Sequence, residues 1–197
     1  MRNPPLVLAS TSRYRRELLG RLRLPFDIEA PGVDEKVLPG ETPAQTALRL
    51  AEAKARAVAA GRPEGLVIGS DQVASCDGEA ISKPGTHANA VAQLQRLSGR
   101  TVTFHTAVAL VNAATGRVQR ELVDVASTFR SLSPAEIETY LRREQPYDCA
   151  GAVRSEALGI ALFERIASDD PTALIGLPLI AVARMLRAEG VDPLAAP

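Results

Sequence analysis

The chain has 197 residues, enough for one domain with a sizeable core, and its 46% hydrophobic and 23% charged content is ordinary for a soluble globular protein. Its 23 Lys and Arg balance 23 Asp and Glu, so no overall field draws in nucleic acid or an anionic membrane, and a polyanion site has to be local. The absence of tryptophan disfavours stacking platforms for single strands, and two histidines with two cysteines outside any CxxC spacing disfavour metal or disulfide frameworks.

Leu6-Val-Leu-Ala9 reads as a buried strand that stops at Ser10-Thr-Ser12. Arg13, Arg15 and Arg16 follow, and residues 13–22 read as a helix with Leu18, Leu19 and Leu22 on one side. A strand feeding a helix leaves unpaired N–H groups and the positive end of the helix dipole at the junction. Hydroxyls and arginines there make a seat for phosphate. Ser12 as an ordinary N-cap with solvated arginines behind it is the plainer alternative. Residues 26–30 read as a second strand, ending in Pro31-Gly-Val-Asp34-Glu35, where the two loop acids carry little weight alone.

Pro43 opens a helix to about residue 60, stopped by Gly61. At about 100° per residue, Ala47, Ala51, Lys54 and Val58 share one face, with Arg49, Glu52 and Arg56 on the other. Lys54 therefore sits in the apolar stripe. Either it snorkels from a core edge or it points into a polar cleft to meet an anion. Residues 66–73 are the most strand-like run of the first half, interrupted by Ser70-Asp71-Gln72. A carboxylate where a buried strand ends is placed as ligand sites of α/β sheets are. Asp71 there suits a divalent metal or a general base, with a capping or turn aspartate as the alternative. Ser82-Lys83-Pro84 adds a cation beside a rigid proline.

Residues 88–97 read as a helix closed by Ser98-Gly99, and 101–111 with 119–129 as a long hairpin around Asn112-Ala-Ala-Thr-Gly116. Ser133-Pro-Ala-Glu136 is a capping box opening a helix to about residue 143. Residues 158–163 read as a late strand, 179–189 as the final helix, and 190–197 as a frayed tail. No apolar run reaches the roughly 18 residues of a membrane span, since residues 174–186 are broken by Gly176, Pro178 and Arg184. The first residues hold no long apolar run of the kind a signal segment carries. The expectation is a cytoplasmic α/β protein with a mixed sheet, one domain over 1–197 with room for two lobes, and Cys76 and Cys149 buried and reduced.

Arginines, hydroxyls, two lysines and at least two carboxylates thus collect near strand ends and loops. Cleaving a phosphoanhydride needs cations to hold phosphates, carboxylates to hold Mg²⁺ or Mn²⁺, and a base to orient water. The chain has no GxxxxGK[ST], GxGxxG or GxSxG motif, which disfavours the common nucleotide-binding and hydrolase folds.

Leu8-Ala-Ser-Thr-Ser-Arg-Tyr-Arg-Arg-Glu-Leu-Leu19, Val33-Asp-Glu35, Ala51-Glu-Ala-Lys-Ala55, Gly69-Ser-Asp-Gln-Val73, Lys83-Pro84 and Ile175-Gly-Leu-Pro-Leu179, in this order, resemble the Maf family of nucleotide pyrophosphatases. Each motif is weak, but the ordered set is specific and spans essentially the whole chain. Ser70-Asp71-Gln72, Cys149-Ala-Gly151 and Arg154-Ser-Glu156 resemble the 7-methyl-GTP pyrophosphatase branch, where the dTTP/UTP branch carries Ala-Asp-Thr for the first of these.

The resemblance implies an elongated mixed sheet flanked by helices, with a central cleft between two lobes, and a divalent metal cation, Mg²⁺ or Mn²⁺. It implies hydrolysis of 7-methyl-GTP between the α- and β-phosphates to 7-methyl-GMP and pyrophosphate, a house-cleaning role. Ser10, Arg15, Glu35, Lys54, Asp71 and Lys83 fall on the family's active-site positions, Asp71 as proton acceptor, with Glu35 and Asp71 the metal candidates. Tyr14, Gln72 and Glu156 fall on positions linked to base choice. Tyr14 stands where this branch commonly has tryptophan, and Ser82 replaces a glycine before Lys-Pro. A dTTP/UTP pyrophosphatase of the same family, and a nucleotide-binding regulator of septum formation and cell division, are the competing readings. The expected partner is a small nucleotide, with no nucleic-acid polymer and no membrane; the metal and a homodimer stay open.

Overall fold

In the computed structural model, which describes residues 4–195, the strands form one mixed seven-stranded sheet. β1 (Leu6–Ala9) lies between β2 (Asp27–Glu29) and β3 (Leu66–Cys76) and runs parallel to both. Parallel neighbours need crossovers, and helices provide them: α1 (Arg13–Gly20) before β2, and α2 (Pro43–Ala59) before β3. Short β4 (Glu79–Ile81) pairs with the far end of β3. After α3 (His87–Leu97), β5 (Thr101–Asn112) and β6 (Val118–Phe129) form the long hairpin, β5 pairing with β3. α4 (Pro134–Glu144) leads to β7 (Phe163–Ala167), and α5 (Leu179–Ala188) comes last, giving the order β2-β1-β3-β5-β6-β7.

Local chemistry starts each of the first four helices. Ser12 and Thr86 accept from the backbone three residues on, while Thr42 with Gln45 and Ser133 with Glu136 complete capping boxes, each followed by a proline at the first position.

Strand alternation then distributes the core. The even-numbered side chains of β3 and β5 face α1 and α5 at one end, where Leu66, Ile68, Val108 and Leu110 pack on Leu18, Leu19 and Val182. At the other end the same face meets α3 and α4, with Ala74, Cys76 and Phe104 against Leu94, Leu97 and Ile137. Between these two apolar stretches the pattern turns polar at Ser70, Gln72 and Thr106, so the shared face carries two lobes with a polar seam between them. On the opposite face, α2 lays Ala47, Ala51 and Ala55 on Val67, Ala107 and Ala109.

Several expectations are corrected. β3 continues past residue 73 to Cys76 because β5 pairs with it as far as Ser75, so Asp71 lies inside a strand and not at its end. Asp77 and Gly78, both at positive φ, turn β3 back into β4, an unexpected hairpin built on an Asp-Gly turn. Leu158–Leu162 is a 3-10 turn; the strand starts at Phe163, where Phe129 of β6 offers a partner. A five-residue apolar run does not distinguish the two by periodicity, and Gly159 is pressed so closely on the Arg154 carbonyl that a Cβ would lie 2.4 Å from its oxygen. The tail is anchored at its first apolar residue, since Val191 is buried with the α1–α5 cluster; residues 196–197 of the expected frayed end lie outside the described residues. Both cysteines are free thiols, but Cys149 is only half-buried. No helix among the described residues is long and apolar enough to cross a membrane.

Candidate active site

Along one edge of β3, β1 pairs as far as Gly69 and β4 begins at Ala74. Residues 70–73 have no strand beside them there, and the gap opens into a cleft of about 740 Å³. Ser10, Arg15, Glu35, Lys54, Asp71 and Lys83 all line this cleft. Tyr14, Gln72 and Glu156 line it as well.

Its floor is set by a close contact between helix and strand. A Cβ on Gly69 would stand 2.2 Å from the Ala51 carbonyl oxygen and 2.6 Å from the Ala55 nitrogen, so only glycine lets α2 descend this far onto β3. The descent places Lys54 beside Asp71. Its Nζ donates to Asp71 Oδ1 at 2.6 Å and is paired with Glu35 Oε1, also at 2.6 Å. Lys54 is 4% exposed and Asp71 7%, which selects the polar-cleft reading of Lys54 over snorkelling. A desolvated ammonium needs such partners, and it draws two carboxylates together that repel each other without it. Burial pushes the Glu35 carboxyl up, but the Lys54 hydrogen bond and charge, with Lys83 and Arg15, more than offset this and hold it below its ordinary value.

Of the three N-terminal arginines, Arg15 is the one turned into the floor. Burial draws its pKa down against the opposing pull of Asp71 and Glu35, yet a guanidinium stays charged. Its Nε donates to the Gly176 carbonyl at 2.9 Å, which also accepts from Ser70 Oγ at 3.0 Å. Gly176 has φ of 124°, a conformation open to glycine, and that turn presents its carbonyl to both donors. Ser12 caps α1 at the cleft wall, and its backbone N–H donates to Ser10 Oγ at 3.2 Å. The plainer N-cap reading and a cleft-lining role of this segment therefore hold together. Lys83 is exposed on the loop after β4, with no acid partner among the described residues.

At the far end, Glu156 is exposed, 3.8 Å from Arg154 Nε. The Tyr14 ring carries the Arg13 guanidinium at 4.7 Å and that of Arg154 at 5.8 Å, and its hydroxyl accepts from Arg13. Cys149, on the same wall, is pushed up to about 12 by burial and by Asp148, so it stays a thiol. Gln72 donates through Nε2 to Thr106 Oγ1 and to the carbonyls of Ala173 and Leu174, which leaves its Oε1 as the group free to face a ligand.

Ser70, Thr106 and Gly176 were not foreseen as site residues. They tie the 173–176 turn to the polar seam; Ser70 and Gly176 fall within motifs of the family resemblance, but nothing in those motifs pairs one with the other, and Thr106 lies in none. Across the sheet, Ser75 Oγ, His105 and Asp124 form a hydrogen-bonded line with contacts of 2.9 and 2.7 Å. None of the three lines the cleft, and the serine is buried while the aspartate is exposed, the reverse of what an accessible nucleophile needs. The line acts as a cross-strand tie. Among the described residues no group of three or more His, Cys, Asp and Glu side chains is close enough to hold a metal; of the carboxylates that line the cleft, Glu35 and Asp71 are the two that meet, at Lys54.

A family model for Maf-like proteins matches residues 5–189. A 7-methyl-GTP pyrophosphatase of Albidiferax ferrireducens is 60% identical over 191 residues, covering 97% of this chain and 96% of its own. A 7-methyl-GTP pyrophosphatase of Thiobacillus denitrificans is 59% identical over 195 residues, 99% of this chain and 97% of its own. Among solved structures, the Ham1 protein of Staphylococcus aureus aligns with 64% of this chain and 71% of its own at 16% identity and a TM-score of 0.46.

Proposed function

We propose that this chain, which belongs to the Maf family, is a nucleoside triphosphate pyrophosphatase that acts on 7-methyl-GTP. The observation that carries this reading is the buried Lys54 joined to Asp71 and Glu35 at the base of the cleft, in a chain about 60% identical to relatives that bear this name.

Water attacks the α-phosphorus, the bond from that phosphorus to its bridging oxygen breaks, and the electron pair leaves with pyrophosphate. Asp71 takes the water's proton: Lys54 holds one of its oxygens, which fixes the carboxylate and leaves the other for the water. Arg15 and Lys83 bind the phosphates and offset the charge that builds on the leaving group. Ser10 and the first turn of α1 line the same wall as phosphate partners.

A divalent cation fits this donor set. Mg²⁺ uses one or two carboxylates with water and substrate phosphates completing its shell, and Glu35 and Asp71 supply two. When bound, the metal neutralises phosphate charge at the reacting centre. At the base end, Glu156 accepts from the N1–H and N2–H₂ edge of guanine, a pairing that a pyrimidine does not reproduce. Tyr14 offers a ring face for the cationic 7-methylguanine once Arg13 moves off it.

A screen of 7-methyl-GTP, GTP, UTP and dTTP, read as metal-dependent pyrophosphate release in ¹⁸O water, tests this. The label should enter the monophosphate and 7-methyl-GTP should give the highest kcat/KM. Label in the pyrophosphate, or orthophosphate as first product, would refute the chemistry. Equal kcat/KM for 7-methyl-GTP, GTP and UTP would refute the substrate.

A further inference from the structure

Glu35 sits on the segment 30–42, which joins β2 to α2 without a strand or helix of its own. Its side chain is 59% exposed while Lys54 is buried, so the pair joins a solvated carboxylate to a desolvated ammonium and fixes one end of one side chain. The Lys54 contact alone does not account for the order of the segment, because fixing a chain of that length costs far more entropy than one such pair returns. Something else must hold the backbone.

The hydrogen bonds identify it. Glu41, at the end of the segment, accepts through Oε2 from the Leu38 backbone at 3.0 Å, from the buried Thr46 hydroxyl at 3.1 Å and from Arg49 Nη2 at 2.8 Å. Its Oε1 accepts from Arg49 Nε, so guanidinium and carboxylate meet as a two-pronged fork. Arg49 then reaches further, its Nη2 donating to the Lys36 carbonyl at 2.9 Å. One helix thus grips two consecutive residues: Arg49 holds Lys36 by its backbone, and Lys54 holds Glu35 by its side chain. Neither Arg49 nor Glu41 lines the cleft.

We propose that the Arg49–Glu41 fork is a positioning pair, which sets Glu35 against Lys54 and Asp71 by fixing the backbone of the segment that carries it. The proposal rests on the reading of Glu35 as a working carboxylate of the pyrophosphatase. A planar fork with a third bond to a carbonyl is a task for arginine; lysine, with a single point charge, does not reproduce it.

The test combines amide hydrogen exchange over residues 30–42 with steady-state kinetics of R49A, R49K and R56A. Arg56 pairs with Glu52 on the outer surface of α2 and serves as the control. R49A should raise exchange in the segment and lower kcat by about tenfold or more, with a smaller change in KM, because a displaced carboxylate acts on the reacting centre. R49K should resemble R49A, and R56A the unmodified protein. In an E35Q background the further loss from R49A should nearly vanish, whereas independent structural damage would add. Unchanged exchange in R49A, a loosened segment with unchanged kcat, or additive losses would each overturn the proposal. Failure of the unmodified protein to release pyrophosphate from any triphosphate would sink the proposed function instead. Hydrogen exchange would then still decide whether Arg49 orders the segment.

Discussion

Lys54 shows how one residue links stability to chemistry. It is nearly fully buried, and so is Asp71, so their pair is not screened as a surface salt bridge is. Removing one partner strands a charge, a loss of about 3–5 kcal/mol where the partner is buried. K54M keeps the bulk of the side chain and should destabilise at pH 7 by about that amount. The double variant K54M/D71N removes both buried charges and leaves only Glu35, whose half-exposed carboxylate water can solvate, so it should recover much of the stability and none of the activity. D71N alone keeps shape and loses the carboxylate proposed as proton acceptor, so turnover should fall by roughly 10²-fold while substrate binding survives. Chemical denaturation of the three variants beside pyrophosphate assays separates the two roles. A K54M protein as stable as the parent would mean that water reaches Asp71 freely, and a D71N enzyme with most of its turnover would leave Asp71 a structural group.

The contact between α2 and β3 decides where those side chains meet. Gly69→Ala introduces a Cβ 2.2 Å from a backbone oxygen of the helix, a clash that only movement of α2 relieves. Overpacking of this kind costs typically 1–3 kcal/mol, and here it also lifts Lys54 away from Asp71. The G69A protein should therefore lose activity out of proportion to its fall in melting temperature; parental activity in a destabilised protein would show that the depth of α2 does not matter. Much of this element was legible in the sequence. The alanine spacing marked the buried face of α2 and the lysine inside it as an anomaly, but left snorkelling and a polar cleft both open until the family resemblance placed Lys54 at the site. The opening beside Asp71 was not legible, because it arises from where two other strands stop, Ala9 of β1 and Ile81 of β4, and pairing partners distant in sequence leave no local pattern. The Arg49–Glu41 fork escaped for a related reason. On the face of α2 away from Lys54, Arg49 had the spacing of a solvated charge, and only the fold of the preceding segment gives it partners.

At the scale of the whole molecule, acid stability should follow from glutamates whose charged forms are held by the fold. Arg49 holds Glu41 first by its side-chain hydrogen bond, bringing the carboxyl from an ordinary 4.5 to about 2. Glu136 is brought to about 2 as well, first by the Ser133 backbone N–H of its capping box, then by the Ser133 hydroxyl and Arg130. One lies beside α2 and the other at the start of α4. For a carboxyl whose folded pKa is lower than its unfolded pKa, the unfolded chain takes up protons first as pH falls. Such a group contributes its full stability above about 4.5 and loses it progressively as the pH drops from there to about 2. The melting temperature should therefore be level above about pH 5 and fall steeply between about 4.5 and 2. Glutamine removes the charge at either position while keeping an acceptor, and at residue 136 it also keeps the capping-box pattern. E41Q and E136Q should each melt below the parent at pH 7 and approach it as the pH falls to about 2, where the parent's carboxyls are taking up protons too. Thermal unfolding across that range checks the sign as well as the size of the effect: a constant gap between parent and variants from pH 7 to pH 2 would show that bulk or packing, and not the charge of these two glutamates, accounts for the loss.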